Sequence, residues 1–140
     1  MNQNIRHADV RTRFIFDDMP VRGLHVRLEN VWQHIVKQKN YPSAIRRALG
    51  ELLAAGVLLS GNLKNEGALI VQVQGQGRLK MLVAEATSDR TVRATARWDE
   101  AAEIGEDESL ADLLGEGGVF VLTLQPKDGE PWQGVVPLEG

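Results

Sequence analysis

The chain has 140 residues, a net charge of −3, 43% hydrophobic and 5% aromatic residues, and no cysteine. This composition is typical of one soluble globular domain and excludes disulfides, a thiolate nucleophile and a cysteine-type zinc site. The longest apolar run, 52–59, is far shorter than the roughly 20 residues of a membrane span, and no signal-peptide core of about 7–15 apolar residues is present, so we expect a cytoplasmic protein without a membrane partner.

The N-terminal region predicts a β-hairpin followed by a helix. Residues 10–16 and 21–28 are two short strands joined by a turn at 17–20, because apolar and polar residues alternate in the second strand. From Glu29 the apolar residues follow helical spacing, and this first helix is expected to end near Asn40.

A second helix is predicted over 42–60, with Pro42 at an early helical position. Residues 54–58 are apolar on nearly all sides, so we expect the end of this helix to be buried. Gly50 and Gly56 each lower helix propensity by about 1 kcal/mol relative to alanine, and we interpret them as places where another backbone comes close. Gly61-Asn62 is the expected helix stop.

Three strands at short spacing follow, at 68–74, 79–86 and 91–98, with turns at 75–77 and 88–89. They predict an antiparallel meander. In its third strand the even-numbered residues are expected to face inward and the odd-numbered ones outward, which gives that strand one wet face.

The C-terminal region combines an acidic run with two further strands. Residues 99–116 contain eight acidic residues and no basic one, and we favour a solvated loop leading to a short helix near Ser109 over cation binding or nucleic-acid mimicry. Residues 119–124 are apolar on both faces, which predicts a strand with layers above and below it. A last strand spans 132–138. The fold class is therefore α+β.

The histidines and paired acids do not form a catalytic or metal site. His7, His25 and His34 lack the spacing of metal ligands, and His25 and His34 are expected on the surface. Asp17 and Asp18 precede a proline and are interpreted as a turn rather than an acid–base pair.

The glycine-rich segments and the serines do not form one either. The segments 75–80 and 115–118 lack the third glycine of a dinucleotide-binding loop, so we interpret them as a turn and a helix stop. No serine lies in a Gly-x-Ser-x-Gly motif. We assign no catalytic, cofactor-binding or metal-ligating residue, and we expect no enzyme activity.

Charge is distributed unevenly along the chain. Residues 1–80 hold 12 Lys/Arg and 6 Asp/Glu, a balance of +6, whereas residues 81–140 hold 4 and 13, a balance of −9. This asymmetry permits a basic patch for an anionic partner. Because the basic residues are scattered, we favour a solvated bipolar surface.

A series of short segments runs in a distinctive order along most of the chain. They are Val21-Arg22-Gly23, Tyr41-Pro42, 49–55, Leu58-Leu59, Leu63-Lys64, Gly67, 73–77, Arg97, Gly115, Gly117, 132–136 and Leu138-Glu139-Gly140. In these segments the chain resembles the N-terminal core of the thirty-three-kilodalton heat-shock protein family, the bacterial redox-regulated holdase chaperones. Gln76 and Asn65-Glu66 depart from the family pattern, both in predicted turns.

The resemblance implies a layered α+β core of mostly antiparallel sheets with packed helices. It implies an ATP-independent holdase that binds unfolded or oxidatively damaged client proteins through apolar surface. It also implies a homodimer, with exchange of a segment between subunits as one arrangement. We do not expect nucleic acid as a partner.

Family members carry a linker and a zinc-binding module with four cysteines after this core. We therefore expect residues 1–140 to be a single N-terminal core domain, incomplete at its C-terminal end, without the linker, the zinc site or the redox switch. No cofactor is expected in this chain.

The sequence leaves the client-binding surface unidentified. The apolar excess at 54–59 and in the neighbouring strands suggests a surface that the linker covers in longer relatives, although these residues also fit an ordinary core. Two rival hypotheses remain. One is a nucleic-acid or other anion-binding module that uses the basic first 80 residues with Arg93 and Arg97, and the other is a small-molecule enzyme whose site the sequence does not show.

Overall fold

The computed structural model describes residues 9–61, 63 and 66–138. Among them are the strands β1 (Asp9–Ile15), β2 (Arg22–Leu28), β3 (Gly67–Gln74), β4 (Leu79–Thr87), β5 (Val92–Trp98), β6 (Val119–Pro126) and β7 (Trp132–Pro137), and the helices α1 (Asn30–Val36), α2 (Ser43–Ser60) and α3 (Leu110–Leu114). The α+β class is confirmed. His7, Asn62, Lys64-Asn65 and Glu139-Gly140, on which predictions fell, lie outside the described residues.

The strands form two antiparallel sheets. β1 and β2 make the predicted hairpin, and the larger sheet has the order β5-β4-β3-β6-β7. β3, β4 and β5 are the predicted meander, and a register shift between Leu79 and Met81 marks a bulge in β4. The chain then returns through α3 to place β6 beside β3 and β7 at the sheet edge.

The core lies between α2 and one face of the larger sheet. α2 packs mainly on β4 and also contacts β2, β3 and β5. Ile45, Leu49 and Leu53 of the helix are fully buried, as are Val71 and Leu82 of the sheet. In β5 the predicted alternation is confirmed, because Ala94 and Ala96 are buried, Arg93 and Arg97 on either side of them are exposed, and Thr95 between them is half-buried.

The helix boundaries differ from the predicted ones at two places. α1 ends at Val36 rather than near Asn40, because the backbone N–H of Gln38 donates to the carbonyl of Ile35, three residues back, and tightens the chain into a turn. Pro42 precedes the second helix instead of lying within it. Its ψ of 149° is extended, while its carbonyl accepts from Arg46 N–H.

The two helical glycines accommodate side chains, so the prediction of a close backbone was wrong. A Cβ atom on Gly50 would lie 3.2 Å from the Trp32 ring, and one on Gly56 would lie 3.3 Å from Cγ2 of Val71. Without a Cβ atom, Gly56 leaves room for the side chain of Val71 on β3.

The end of α2 is buried on one side only. Gly56 and Val57 are buried, whereas Ala55 is exposed and Leu59 is 41% exposed. The prediction of an all-round buried end was wrong because α2 lies on a single sheet face and keeps its opposite side in solvent.

The prediction of layers above and below β6 was also wrong. Of its residues only Val121 is buried, and the rest are half-buried or exposed. α2 lies above β4, which is separated from β6 by β3 in the sheet order. The helix therefore covers the middle of the sheet and not its β6–β7 side.

The 75–77 turn and the two ends of α3 lie where the sequence predicts them. The N–H groups of Gln76 and Gly77 donate to the carbonyl of Leu114 at 2.9 and 2.7 Å, which joins the 75–77 turn to α3. Ser109 caps α3 by accepting from Asp112 N–H. Gly115 follows the helix at a φ of 72°, a conformation that glycine adopts without strain.

The acidic segment between β5 and α3 is held by basic side chains. Arg78 pairs with Glu108 at 2.7 Å and donates to the carbonyl of Glu103 at 2.9 Å. Arg47 donates to the carbonyl of Glu106. The predicted loop is confirmed, and part of its charge is neutralised within the chain.

Leu53 and Leu59 allow a matched test of this packing. Leu53 is 1% exposed, so Leu53→Ala is expected to lower the free energy of unfolding by about 2–5 kcal/mol through lost burial and a cavity. Leu59→Ala removes the same atoms at an exposed position and should change it by less than about 1 kcal/mol. Urea denaturation measures both, and equal losses would contradict the described orientation of α2.

Two exposed apolar surfaces as the candidate functional site

The titratable candidates lie apart and on the surface. His25 is exposed on β2 and His34 is exposed on α1, where it contacts Gln38 at 3.2 Å, so both are surface histidines as predicted. Asp17 and Asp18 are exposed in the hairpin turn. In the part of the chain that the structure describes, no three His, Asp or Glu residues are placed to hold a metal ion.

The first apolar surface is the end of the β1–β2 hairpin. Five large apolar side chains, 44 to 75% exposed, cluster within eight consecutive positions. They are Phe14, Ile15, Phe16, Met19 and Val21, which we call the hairpin tip. Contiguous exposed apolar patches mark interaction sites on protein surfaces, which makes the hairpin tip a candidate.

The aromatic rings of the hairpin tip are ordered by their neighbours. Phe14 and Phe16 meet edge to face with ring centres 5.9 Å apart. Phe14 also lies against Gly23, its partner across the hairpin, where a Cβ atom would overlap the ring. Gly23 of the Val21-Arg22-Gly23 segment therefore provides space for an aromatic side chain.

The base of the hairpin is anchored to the helices. The carboxylate of Asp9 accepts the N–H groups of Glu29, Asn30 and Val31 at 2.8 to 3.3 Å. Arg13 donates to the carbonyl of Gly61 at 2.6 Å, and Arg11 donates to Ser60 at 3.1 Å. The bonds of Asp9 and Arg13 satisfy free backbone groups at helix ends, and all of these bonds fix the base, while the tip lies beyond them.

The second apolar surface lies on β6 and β7. Five side chains share the sheet face that α2 covers elsewhere, because they pair directly with one another or with Leu69, Val71 and Val73 of the core. They are Phe120, Leu122, Leu124, Trp132 and Val136, which we call the β6–β7 shelf. Trp132 and Val136 are 54% and 55% exposed, and the other three are half-buried.

Gly134 shapes the middle of the β6–β7 shelf. A Cβ atom on Gly134 would lie 2.8 Å from the ring of Trp132. The ring therefore lies over the glycine, next to Leu122 on the paired strand. The shelf thus continues the core face beyond the part of the sheet on which α2 packs.

Residues 9–140 match the model of the Hsp33 protein family. The chain belongs to this family. It is 93% identical over its whole length to the 33 kDa chaperonin of Neisseria meningitidis serogroup A, of which it covers 47%. It is 50% identical over 98% of its length to the 33 kDa chaperonin of Chromobacterium violaceum, of which it covers 46%. The chain thus spans about half the length of these relatives.

The Hsp33 fold is also found among solved structures. The crystal structure of the 33 kDa chaperonin of Thermotoga maritima superposes with a TM-score of 0.81 at 23% sequence identity, over 95% of this chain and 47% of that one. At this identity the likeness concerns the fold, and it confirms the layered α+β arrangement.

Neither apolar surface of this Hsp33 chain is the one suggested by residues 54–59. In that segment Gly56 and Val57 belong to the core, and Ala55 and Leu59 are exposed singly. The sequence does contain a signal for the hairpin tip and the shelf. The 119–124 strand is apolar on both faces, and the 14–21 turn region is rich in large apolar residues.

The exposed side chains of the hairpin tip and of Trp132 and Val136 on the shelf are large and apolar. Among the described helices none is long and apolar enough to cross a lipid bilayer. The hairpin tip and the shelf are therefore candidates for contact with protein or small apolar partners.

Two valines on β7 provide a matched test of the shelf. Val136 lies on the shelf and Val135 on the opposite sheet face, and they are 55% and 58% exposed. Val136→Thr should lower the fluorescence of a bound apolar dye, because it places a hydroxyl within the apolar surface. Val135→Thr should leave the signal nearly unchanged. Equal effects of the two substitutions would show that the shelf is not the dye-binding surface.

Proposed function

We propose that this chain is the client-binding core of an ATP-independent holdase chaperone. It holds unfolded or oxidatively damaged proteins through the hairpin tip and the β6–β7 shelf. It acts in the cytoplasm, without a cofactor and without catalysing a reaction. Redox control belongs to cysteines of longer family members, since this chain has none.

The exposed β6–β7 shelf is the observation that carries this proposal. A holdase needs no catalytic group, only apolar surface that gains roughly 25 cal/mol for each Å² removed from water. The shelf offers aromatic and branched side chains beside each other on a rigid sheet. Relatives of this chain bear the name 33 kDa chaperonin, which supports the same function.

The position of β7 supports binding of an extended client segment. β7 is an outer strand of the larger sheet, so one side of its backbone has no partner strand among the described residues. An extended chain adds to such an edge by main-chain hydrogen bonds while its side chains contact the neighbouring surface. The other edge differs, because Lys39 donates to the carbonyl of Ala96 on β5 at 3.3 Å.

The same edge supports a homodimer. Uncovered strand edges favour pairing between identical chains, and exchange of a segment between subunits is one arrangement that provides such pairing.

The nucleic-acid alternative has less support. Some of the basic residues that it would use form ion pairs within the chain. Arg93 pairs with Glu85 at 3.0 Å, and Arg78 pairs with Glu108.

Suppression of thermal aggregation tests the proposal. A heat-labile model enzyme is warmed with and without the 140-residue chain, each in the presence and absence of peroxide. We expect lower light scattering with the chain, and the same suppression at peroxide concentrations that oxidise thiols but spare methionines such as Met19, because the chain has no thiol. Unchanged scattering at a several-fold excess of the chain would contradict the proposal.

Variants of the two surfaces localise the activity. Ile15→Ser with Phe16→Ser alters the hairpin tip, and Trp132→Ser alters the shelf. Each is expected to require several-fold more chain for the same suppression. Leu59→Ser, an exposed apolar residue outside both surfaces, is the control and should behave like the unaltered chain. A uniform response of all variants would assign the activity to another surface.

A further inference from the structure

A cavity of about 510 Å³ lies where the hairpin base, the end of α2 and the β4–β5 turn meet. Its volume falls within the range of roughly 300–1,000 Å³ that is typical of small-molecule sites. It is separate from the residues that define the hairpin tip and the β6–β7 shelf, none of which lines it. The proposed chaperone function therefore leaves the cavity unexplained.

The floor of the cavity is apolar. Val26 and Leu28 of β2, Val57 of α2 and Val92 of β5 contribute to it from three elements of the fold. Val57 is buried and the other three are half-buried. A short hydrocarbon chain placed on these residues would gain free energy by leaving water.

The rim of the cavity is cationic. Arg11 and Arg13 from β1 and Arg90 from the β4–β5 turn all line it. Arg11 and Arg13 donate to uncharged groups at the end of α2, namely Ser60 and the carbonyls of Val57 and Gly61. None of these three arginines takes part in an ion pair among the described residues.

The nearby acidic groups are engaged elsewhere. Asp9 also lines the cavity, but its two carboxylate oxygens accept the N–H groups at the start of α1. Asp89, adjacent to Arg90, is tied into its own turn, and hydrogen bonds from Thr87 and Thr91 hold the pKa of its carboxyl below the usual value. The end of α2 adds a partial negative charge. Three guanidinium groups outweigh these contributions.

We propose that this cavity binds an amphiphile that combines a short apolar chain with one carboxylate, with the chain on the valine-rich floor and the carboxylate at the rim arginines. Guanidinium groups suit this task because their planar donors match the two oxygens of a carboxylate. Each of them has five N–H donors, and Arg13 uses only one within the described residues. This chemistry occurs both in a medium-chain fatty acid and at the C-terminus of a peptide that ends in an apolar residue.

Calorimetric titration of the 140-residue chain tests the proposal with decanoate, decanol and decylamine as probes. Decanoate is expected to bind and the neutral and cationic analogues to bind at least about tenfold more weakly, because only the anion pairs with the arginines. Equal affinities of the three probes, or no binding of decanoate, would overturn the proposal. Neither result depends on chaperone activity.

Two charge reversals locate the carboxylate. Arg90→Glu should weaken decanoate binding by about tenfold, since it replaces attraction by repulsion at the rim. Arg97→Glu, with the same change in net charge on an exposed residue of β5 outside the cavity, is the control and should bind like the unaltered chain. If Arg90→Glu does not fold, Arg90→Gln replaces it, with an expected loss of about threefold. Equal affinity of the rim variant and its control would refute the assigned site.

A peptide arm distinguishes the two sources of the carboxylate. A tetrapeptide that ends in leucine with a free C-terminus is compared with its C-terminal amide as a competitor of decanoate. Competition by the free acid alone assigns the cavity to peptide C-termini. Absence of competition by both, with decanoate bound, assigns it to small free acids.

Discussion

The contact between α2 and the middle of the larger sheet is the interaction on which the rest of the structure depends. Gly56 lets the helix approach Val71, and the leucines on the same helical face fill the space above β4. One helix of this length covers only part of a five-stranded sheet. The fold therefore has a dense centre around β3, β4 and β5 and a flank at β6 and β7 that α2 does not cover.

This incomplete coverage, together with the geometry of the hairpin, accounts for the exposed apolar side chains of the described residues. The hairpin is fixed at its base by Asp9 and the two arginines of β1, so its apolar tip is displayed rather than folded back onto the core. The shelf is displayed in the same way by the rigid sheet. The proposed binding of unfolded chains needs apolar surface that does not collapse on itself, and both surfaces meet this condition by being held on strands.

Much of the fold could be predicted from the sequence because it follows local rules. Strand alternation located the hairpin and the meander, Ser109 and Gly115 marked the two ends of α3, and the order of short segments indicated the family. The predictions that failed concerned burial, which depends on how the helices and strands pack against one another. A doubly apolar strand such as β6 and an apolar helix end such as 54–59 carry the same pattern whether neighbours cover them or not. The sequence therefore could not identify the candidate surfaces. Exposure of the shelf depends on how far α2 extends across the sheet, and the sequence pattern does not contain this information.

Hydrogen–deuterium exchange of backbone amides tests this view of the fold most directly. If α2 on β4 organises the structure, amides of β3 and β4 should exchange only through global unfolding and be the most protected, whereas those of β7 should exchange through local opening and be much less protected. The amides of β6 that pair with β3 should lie between these two groups. Protection of β7 equal to that of β4 would contradict the account, since it would mean that the flank is covered and as stable as the centre.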